Sequence, residues 1–239
     1  MKKITLLLAL FLVTYTNAQD WNDNRVEGNG NNKTITKITS DYDEIIVGGS
    51  YTVDLIAGKE GTITINGDEN IIEHMKVEVI AGKLKVFLDR SKSFRFNSKL
   101  TITIPFEKIS NVTFSGSGNI KTKDKLIQEE LTITLNGSGN ANIDVECNSL
   151  KAELAGSGNL NISGKTTKFE TELSGSGTSN CSDLVAQNAK ASLAGSGKIK
   201  LNCTKSLDAN LIGSGKILYS GNPEKINKDT SGSGKIISY

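Results

Sequence analysis

The tripeptide Gly-Ser-Gly occurs seven times in the second half of this chain, and its spacing constrains the fold more than any other feature. Successive copies begin 21, 19, 19, 20, 18 and 19 residues apart. A period near 19 that persists to the last residues indicates a solenoid built from stacked, similar coils. Fourteen of the 24 glycines lie in these copies, so the glycine excess is not that of a flexible linker. Glycine adopts positive φ and tolerates close backbone approach, so we predict that fourteen glycines mark structural corners: Gly116, Gly118, Gly137, Gly139, Gly156, Gly158, Gly175, Gly177, Gly195, Gly197, Gly213, Gly215, Gly232 and Gly234.

Around each copy of the tripeptide, apolar or small residues alternate with polar ones. Two residues before the first glycine the chain carries Phe114, Leu135, Leu154, Leu173, Leu193, Leu211 and then Thr230. Alternation with a period of two is typical of strands, whereas helices repeat every 3.6 residues. We therefore predict an all-β chain, folded as a right-handed parallel β-helix, or solenoid, with about 19-residue coils. Even positions point inward, and small inward residues such as Ala152, Ala191 and Ala209 fit a thin core.

The region before the repeats lacks the tripeptide, but its apolar and polar residues still alternate. We predict strands at 45–47, 51–55, 62–65, 83–88 and 100–104, with a short helical turn between Asp68 and Met75 and a strand that ends at Pro105. Residues 34–239 then form a single β-solenoid domain. Its irregular β part, 34–110, caps the first coil, and the seven repeats occupy 111–239. A cap is expected because an open solenoid end is an unpaired sheet edge.

The first residues have the pattern of an export signal. Lys2 and Lys3 precede an almost wholly apolar run, 4–13, and the small residues Thr16-Asn17-Ala18 offer a cleavage point before Gln19. We predict a signal peptide over 1–18 and a flexible, Asn- and Gly-rich leader over 19–33. The mature chain has no membrane span, since no other segment is long and apolar enough. The predicted location is exported: periplasmic, cell-surface or secreted.

Cysteine content and charge exclude several classes of protein. Cys147, Cys181 and Cys203 show no CxxC spacing and are too few for a disulfide scaffold. All three occupy even positions, so we expect buried free thiols, with a Cys181–Cys203 bridge between adjacent coils as the alternative. With 28 basic and 26 acidic residues, the net charge of +2 does not indicate a nucleic-acid-binding protein. No cofactor or metal site is predicted.

The usual signatures of catalysis are weak in this sequence. Gly-Ser-Gly-Lys resembles a phosphate loop only faintly, because isoleucine rather than Ser or Thr follows each lysine. His74 is the only histidine, so a His-based triad has one candidate at most. Glu153 and Glu172 occupy equivalent positions on adjacent coils, and two stacked carboxylates could serve sugar chemistry. The alternative is a solvated face interleaved with Lys151, Lys168 and Lys190.

One outward row along the predicted corner carries a regular polar pattern. Three residues after each first glycine lie Asn119, Asn140, Asn159, Thr178, Lys198, Lys216 and Lys235. Stacked asparagines bond to one another along a solenoid, which is a structural role. The lysine end offers a surface for an anionic glycan, although like charges so close together tend to splay into solvent. We keep both interpretations of this polar ladder.

Three motifs in this order resemble a known family. They are Val47-Gly48-Gly49-Ser50-Tyr51-Thr52-Val53-Asp54-Leu55, then Gly67-Asp68-Glu69-Asn70, then Ser115-Gly116-Ser117-Gly118 and its repeats. Over about residues 40–239 the chain is similar to the family called "putative auto-transporter adhesin, head GIN domain", which is common in exported proteins of Bacteroidetes-type bacteria. The resemblance implies a β-helical fold and supplies no catalytic residues.

The function that follows from these observations is a non-enzymatic, exported β-solenoid. It would act as an adhesin or cell-envelope binding module whose partner is a glycan or a cell-surface protein, and it could form homo-oligomers. Two alternatives stay open at this point. One is a carbohydrate-active enzyme, a polysaccharide hydrolase or lyase, which requires a groove with clustered acids. The other is a purely structural envelope protein, which requires self-association.

Overall fold

The computed structural model describes residues 24–239, so the predicted signal peptide and residues 19–23 of the predicted leader lie outside the described residues. The N-terminal region contains β1 (Arg25–Glu27), β2 (Asn32–Ile38), β3 (Glu44–Gly49), β4 (Thr52–Ala57), β5 (Thr62–Asp68), α1 (Glu69–Ile72), β6 (Met75–Ile80), β7 (Lys83–Leu88), β8 (Ser93–Arg95) and β9 (Thr101–Phe106). The repeats contain β10 (Asn111–Gly116), β11 (Asn119–Thr122), β12 (Leu126–Gly137), β13 (Asn140–Gly156), β14 (Asn159–Gly175), β15 (Thr178–Gly195), β16 (Lys198–Gly213), β17 (Lys216–Ser220), β18 (Lys225–Ser231) and β19 (Lys235–Ser238).

The repeats stack as a parallel β-solenoid, which confirms the predicted fold. The strands β12 to β16 pair parallel with their neighbours in chain order, and the first glycines of successive tripeptides lie opposite one another. Phe114, Leu135 and Leu154 are at most 2% exposed, and the inward alanines Ala152, Ala191 and Ala209 are completely buried. The alternation in the sequence therefore corresponds to an inside and an outside face of each coil.

The tripeptide corner is shaped by backbone packing between coils. The first glycine of each copy has φ between +114° and +143°. A Cβ added there would lie 2.1–2.6 Å from the carbonyl oxygen of the preceding coil. In five of the seven copies that oxygen accepts two bonds from the next coil, as when Gly137 O accepts from Ser157 N and Gly158 N, both at 3.0 Å. Any side chain at this position would disrupt both bonds.

One interior coil is polar, and its polar groups bond to one another. Thr171 and Ser179 occupy inward positions that other coils fill with apolar or small residues, and both are completely buried. Thr171 Oγ1 lies 3.2 Å from Ser179 Oγ, which in turn lies 3.5 Å from the Cys181 Sγ. The two polar residues in the apolar pattern thus satisfy each other's hydrogen bonding across the core.

The order of coils at the N-terminal end does not follow the chain. The coil made by β3 and β4 lies between the coil of β10 and β11 on one side and the coil of β7 and β9 on the other. Gly49 lies opposite Gly116, so β3 and β4 form a coil of the same stack without the tripeptide. Antiparallel strands then extend this end, with β5 paired to β9, β2 to β5, and β6 to β7.

Two expectations for the N-terminal region are wrong. The predicted flexible leader includes β1, which pairs in parallel with β8, and the start of β2, which pairs with β5. The Asn- and Gly-rich composition does not indicate these strands, because they form through pairing with distant residues. The strand predicted to end at Pro105 continues to Phe106. Since β5 pairs only with Thr101–Thr103, position 105 lies beyond that ladder and tolerates a missing N–H.

Candidate binding surfaces

The polar ladder is continuous along the stack. Asn140 Nδ2 donates to Asn119 Oδ1 at 3.0 Å, and Asn159 Nδ2 donates to Asn140 Oδ1 at 2.9 Å. The row continues through Thr178 to Lys198, Lys216 and Lys235, which lie opposite one another on adjacent strands. No ion pair of these three lysines occurs within residues 24–239. The asparagine part thus has a structural role, and the binding role of the lysine part stays a prediction.

The stacked acids belong to a network of ion pairs. Glu153 and Glu172 are opposite one another on β13 and β14. Lys151 Nζ lies 2.6 Å from Glu153 Oε1 and 3.8 Å from Glu172 Oε1. The hydrogen bond from Lys151 holds the pKa of Glu153 below its usual range, despite an opposing contribution from burial. Proton donation to a glycosidic oxygen calls for a raised pKa, so Glu153 is not suited to the acid step of glycoside cleavage.

The three cysteines are buried and free, which agrees with the predicted core thiols. Cys181 lies opposite Leu201 and Cys203 lies opposite Ala186, so the register does not bring the two sulfur atoms together. Burial raises the pKa of Cys181 to about 12 and that of Cys203 to about 11. Thiolate is the reactive form, so neither cysteine is a nucleophile at neutral pH.

We expect Cys181 and Cys203 to resist alkylation in the folded protein at pH 8 and to react fully in denaturant. Iodoacetamide labelling followed by mass spectrometry measures this directly. Cys147 is 8% exposed and serves as the internal comparison, because it should label slowly but detectably before unfolding. Rapid labelling of Cys203 in the folded state would contradict the buried placement.

A concave surface crosses four coils on the side of the solenoid where the repeat length varies. The register shifts lie close by, after Asn161 and Cys181, which explains how spacings of 18 to 20 residues fit one stack. The cavity has a volume of about 510 Å³. We call it the lateral groove, and its lining residues are Ile127, Gln128, Glu129, Glu146, Cys147, Asn148, Lys165, Thr166, Thr167, Val185 and Gln187.

The lateral groove has a buried floor and two outward rims. The floor row contains Gln128, Cys147 and Thr166, and the Gln128 Nε2 is shielded from solvent without a hydrogen-bond partner. One rim carries the ion pair of Glu146 and Lys165, whose Oε1 and Nζ atoms are 2.9 Å apart. Exposed aliphatic side chains flank that pair, with Ile127 67% and Val185 47% exposed. The other rim supplies Glu129 and the amides of Asn148 and Gln187.

The better-placed acid of the lateral groove, Glu146, is held in its ionised form by its ion pair. Glu129 and Glu146 both line the groove, which is the clustering that the enzyme alternative requires. The hydrogen bond from Lys165 outweighs burial and lowers the pKa of Glu146. Glu146 is therefore ionised at neutral pH and is a poor proton donor. Within residues 24–239, no cluster of three or more His, Cys, Asp or Glu side chains could hold a metal ion.

A second cavity at the N-terminal end was missed by the sequence analysis. It has a volume of about 340 Å³. We call it the aromatic cleft, and its lining residues are Gly48, Gly49, Ser50, Phe87, Leu88, Asp89, Arg90, Lys92, Phe94, Phe96 and Ser115. The signal available in the sequence was the concentration of Phe87, Phe94 and Phe96 within ten residues that also contain three cations, Arg90, Lys92 and Arg95.

Comparison with known proteins identifies the family. Residues 41–223 match the family described as "Putative auto-transporter adhesin, head GIN domain". The chain belongs to this family. The resemblance drawn from the three motifs is therefore confirmed. No curated protein matches the chain closely enough for comparison.

Several solved structures have the same fold as this chain. A protein from Bacteroides fragilis named as a putative adhesin is 25% identical, with a TM-score of 0.82 over 90% of this chain and 100% of that one. A Parabacteroides distasonis protein named as a putative lipid binding protein is 28% identical, with a TM-score of 0.75 over 90% and 99%. A Parabacteroides merdae protein named as a putative adhesin is 20% identical, with a TM-score of 0.69, and supports the fold alone.

Proposed function

We propose that this head GIN protein is an exported, non-enzymatic module that binds a cell-surface glycan in its lateral groove. The observation that carries the proposal is the groove itself, which crosses four coils and presents a solvent-shielded, unpartnered amide at Gln128. A buried amide without a partner is costly, and rotation of the Gln128 side chain towards a ligand hydroxyl in the groove would remove that cost. Adhesin-like family membership agrees with an exported or surface location. None of the helices within residues 24–239 has the length and apolar character needed to cross a membrane.

An elongated polymer suits the lateral groove better than a compact ligand does. Equivalent positions recur at about 4.8 Å along a β-solenoid, so the rims repeat polar groups along the axis. The amides of Gln128, Asn148 and Gln187 offer both donors and acceptors, as sugar hydroxyls require. The exposed aliphatic side chains of Ile127 and Val185 can pack against the apolar faces of sugar rings.

The test is a glycan array and a cell-wall pulldown with residues 19–239. We expect binding of a surface glycan by the wild-type protein and a loss of about tenfold or more in affinity for the Gln128→Ala/Gln187→Ala double variant. The matched control is Asn210→Ala, which removes an exposed amide outside the groove and should bind normally. Binding to no glycan, together with discrete oligomers in light scattering, would overturn the proposal in favour of a structural envelope protein.

The same experiment decides the enzyme alternative. Bound polymer is incubated with the protein, and its chain length is measured by size-exclusion chromatography. We expect no shortening. Shortening that disappears in Glu146→Gln would show that the groove is catalytic and that the proposal is wrong.

Lipid binding is a second candidate, supported by the similarity to the Parabacteroides distasonis protein named as a putative lipid binding protein and by the exposed Ile127 and Val185. Co-sedimentation with phosphatidylcholine and phosphatidylglycerol vesicles tests it. Sedimentation that Ile127→Ser/Val185→Ser abolishes would favour a lipid over a glycan as the ligand of the groove.

A further inference from the structure

We propose that the aromatic cleft is a second binding site and takes a uronic acid residue of an acidic polysaccharide. The cleft shares no lining residue with the lateral groove. It therefore goes beyond the proposed function and can be tested independently of it. Three properties of the cleft define the ligand: an aromatic wall, cations without ion-pair partners, and a rim of hydroxyl groups.

The aromatic wall consists of Phe87, Phe94 and Phe96, three of the seven phenylalanines in the chain. All three are half-buried, so their rings are fixed by packing yet reachable from the cavity. Phe94 and Phe96 pack against the core, and the Phe94 ring also contacts His74, with centroids 5.6 Å apart. Exposed aromatic surface at a preformed concave site suits a ligand with an apolar face.

The cations of the cleft are Arg90 and Lys92. Neither is within 4.0 Å of a carboxylate among the residues that the structure describes. Asp89, the acid of the cleft, accepts hydrogen bonds from Ser91 N at 3.0 Å and Ser91 Oγ at 2.7 Å. Two cations and one locally bonded carboxylate leave a net positive charge, so a complementary ligand carries a negative charge.

Arg90 is positioned to recognise a planar anion. Its guanidinium carbon lies 5.6 Å from the centre of the Phe87 ring, which holds the group at the edge of the cleft. A guanidinium binds a carboxylate through two parallel hydrogen bonds, whereas an ammonium acts as a point charge. The carboxylate of a uronic acid meets this requirement. Its pyranose ring also offers apolar C–H groups to the phenylalanines.

The opposite rim is polar and small. Ser50 is exposed and Ser115 is half-exposed, and both belong to the coils that begin the stack. Their hydroxyl groups both donate and accept hydrogen bonds, which matches the ring hydroxyls of a sugar. Asn136 Nδ2 already donates to Ser115 Oγ at 3.5 Å, but a purely apolar ligand would leave the Ser50 hydroxyl and both cations without partners, so a lipid tail suits the cleft less well.

The test measures binding by isothermal titration calorimetry with residues 19–239 and two probes. One is the trisaccharide of galacturonic acid, and the other is the corresponding neutral galactose trisaccharide. We expect the acidic trisaccharide to bind about tenfold or more tightly than the neutral one, with an affinity that falls as salt is added. Arg90→Gln/Lys92→Gln should abolish this preference, and Lys99→Gln, an exposed cation outside the cleft, should preserve it.

A ring-specific variant separates binding from folding. Phe94→Leu keeps an apolar side chain against the core but removes the aromatic face, so we expect weaker binding with an unchanged circular dichroism spectrum. The Gln128→Ala/Gln187→Ala variant should bind the acidic trisaccharide normally, so the two sites succeed or fail separately. Equal binding of acidic and neutral trisaccharides, or unchanged binding by Arg90→Gln/Lys92→Gln, would overturn the inference. A preference for a sulfated galactan oligomer over the uronate would also overturn it.

Discussion

Replacing Gly175 by alanine is expected to lower the free energy of unfolding by about 4 kcal/mol. Two costs combine at this residue. Its φ of +127° is a conformation that side chains rarely adopt, and a Cβ would lie 2.4 Å from the carbonyl oxygen of Gly156. That oxygen accepts from Ser176 N at 3.1 Å and Gly177 N at 3.0 Å, so a shift of the neighbouring coil would weaken both bonds.

Alanine substitutions at two other glycines measure the cost of a positive φ apart from the cost of close packing. Gly30 has φ +76° but no atom within 4 Å of an added Cβ, so Gly30→Ala should cost about 1 kcal/mol. The backbone of Gly48 is not in the left-handed region, and the nearest atom, Ser115 O, would be 3.6 Å from its Cβ. Gly48→Ala should therefore change stability by less than about 0.5 kcal/mol.

Urea denaturation followed by circular dichroism at the strand band measures the series. The expected order of destabilisation is Gly175→Ala, then Gly30→Ala, then Gly48→Ala. If Gly175→Ala and Gly48→Ala unfold at the same urea concentration, close packing between coils is not the reason for the tripeptide.

Asp68→Ala is expected to lower the free energy of unfolding by about 3 kcal/mol. The Asp68 carboxylate is 1% exposed. It accepts backbone hydrogen bonds from Gly30 N at 3.1 Å and from Asn97 N and Ser98 N at 2.9 Å each. Removing it leaves three donors without partners and releases the segments that follow β1 and β8. Because β8 carries Phe94, the variant should also weaken binding in the aromatic cleft.

The effect of Asp68 should depend on pH in a defined direction. Burial raises the pKa of this carboxyl, but the hydrogen bonds from Ser98, Asn97 and Gly30 outweigh it and hold the pKa below its usual range. A lowered pKa in the folded state means that the carboxylate stabilises the fold above the unfolded pKa of about 3.9. That contribution is lost as pH falls through the folded pKa.

Asp68→Asn, which keeps the shape and removes the charge, tests this linkage. The difference in unfolding free energy from the wild type should be constant above about pH 5 and should narrow below about pH 4. Asp41→Asn, at an exposed carboxyl, is the control and should change stability by less than about 0.5 kcal/mol. A difference that widens on acidification would contradict the assignment.

The regular half of the fold could be predicted because each coil repeats the same physical problem. Leu154, Leu173 and Leu193 recur at one inward position, and Gly156, Gly175 and Gly195 recur where two backbones meet. Period and alternation then determine the coil without knowledge of any distant contact. The same regularity allowed the ladder from Asn119 to Lys235 to be predicted from the sequence.

Most strands of the N-terminal region could be predicted from local alternation, but their pairing and the two cavities could not be, because both depend on contacts between segments far apart in the chain. Nothing local shows that β1 pairs with β8, or that Asp68 joins the segments around Gly30 and Asn97. The lateral groove arises where coils of unequal length shift register, beside residues such as Cys181 and Val185. The average repeat length does not show these differences between coils, so the groove could not be predicted from it.

The position of β3 and β4 inside the stack has a consequence for synthesis and for the evolution of length. As the chain emerges from its N-terminal end, this coil can acquire β7 and β9 on one side and β10 and β11 on the other only after Thr122 has emerged. The N-terminal part must therefore close as one cooperative unit, and later coils can then add singly. Coils gained or lost after β11 would change the rod by about 4.8 Å each and leave the aromatic cleft untouched.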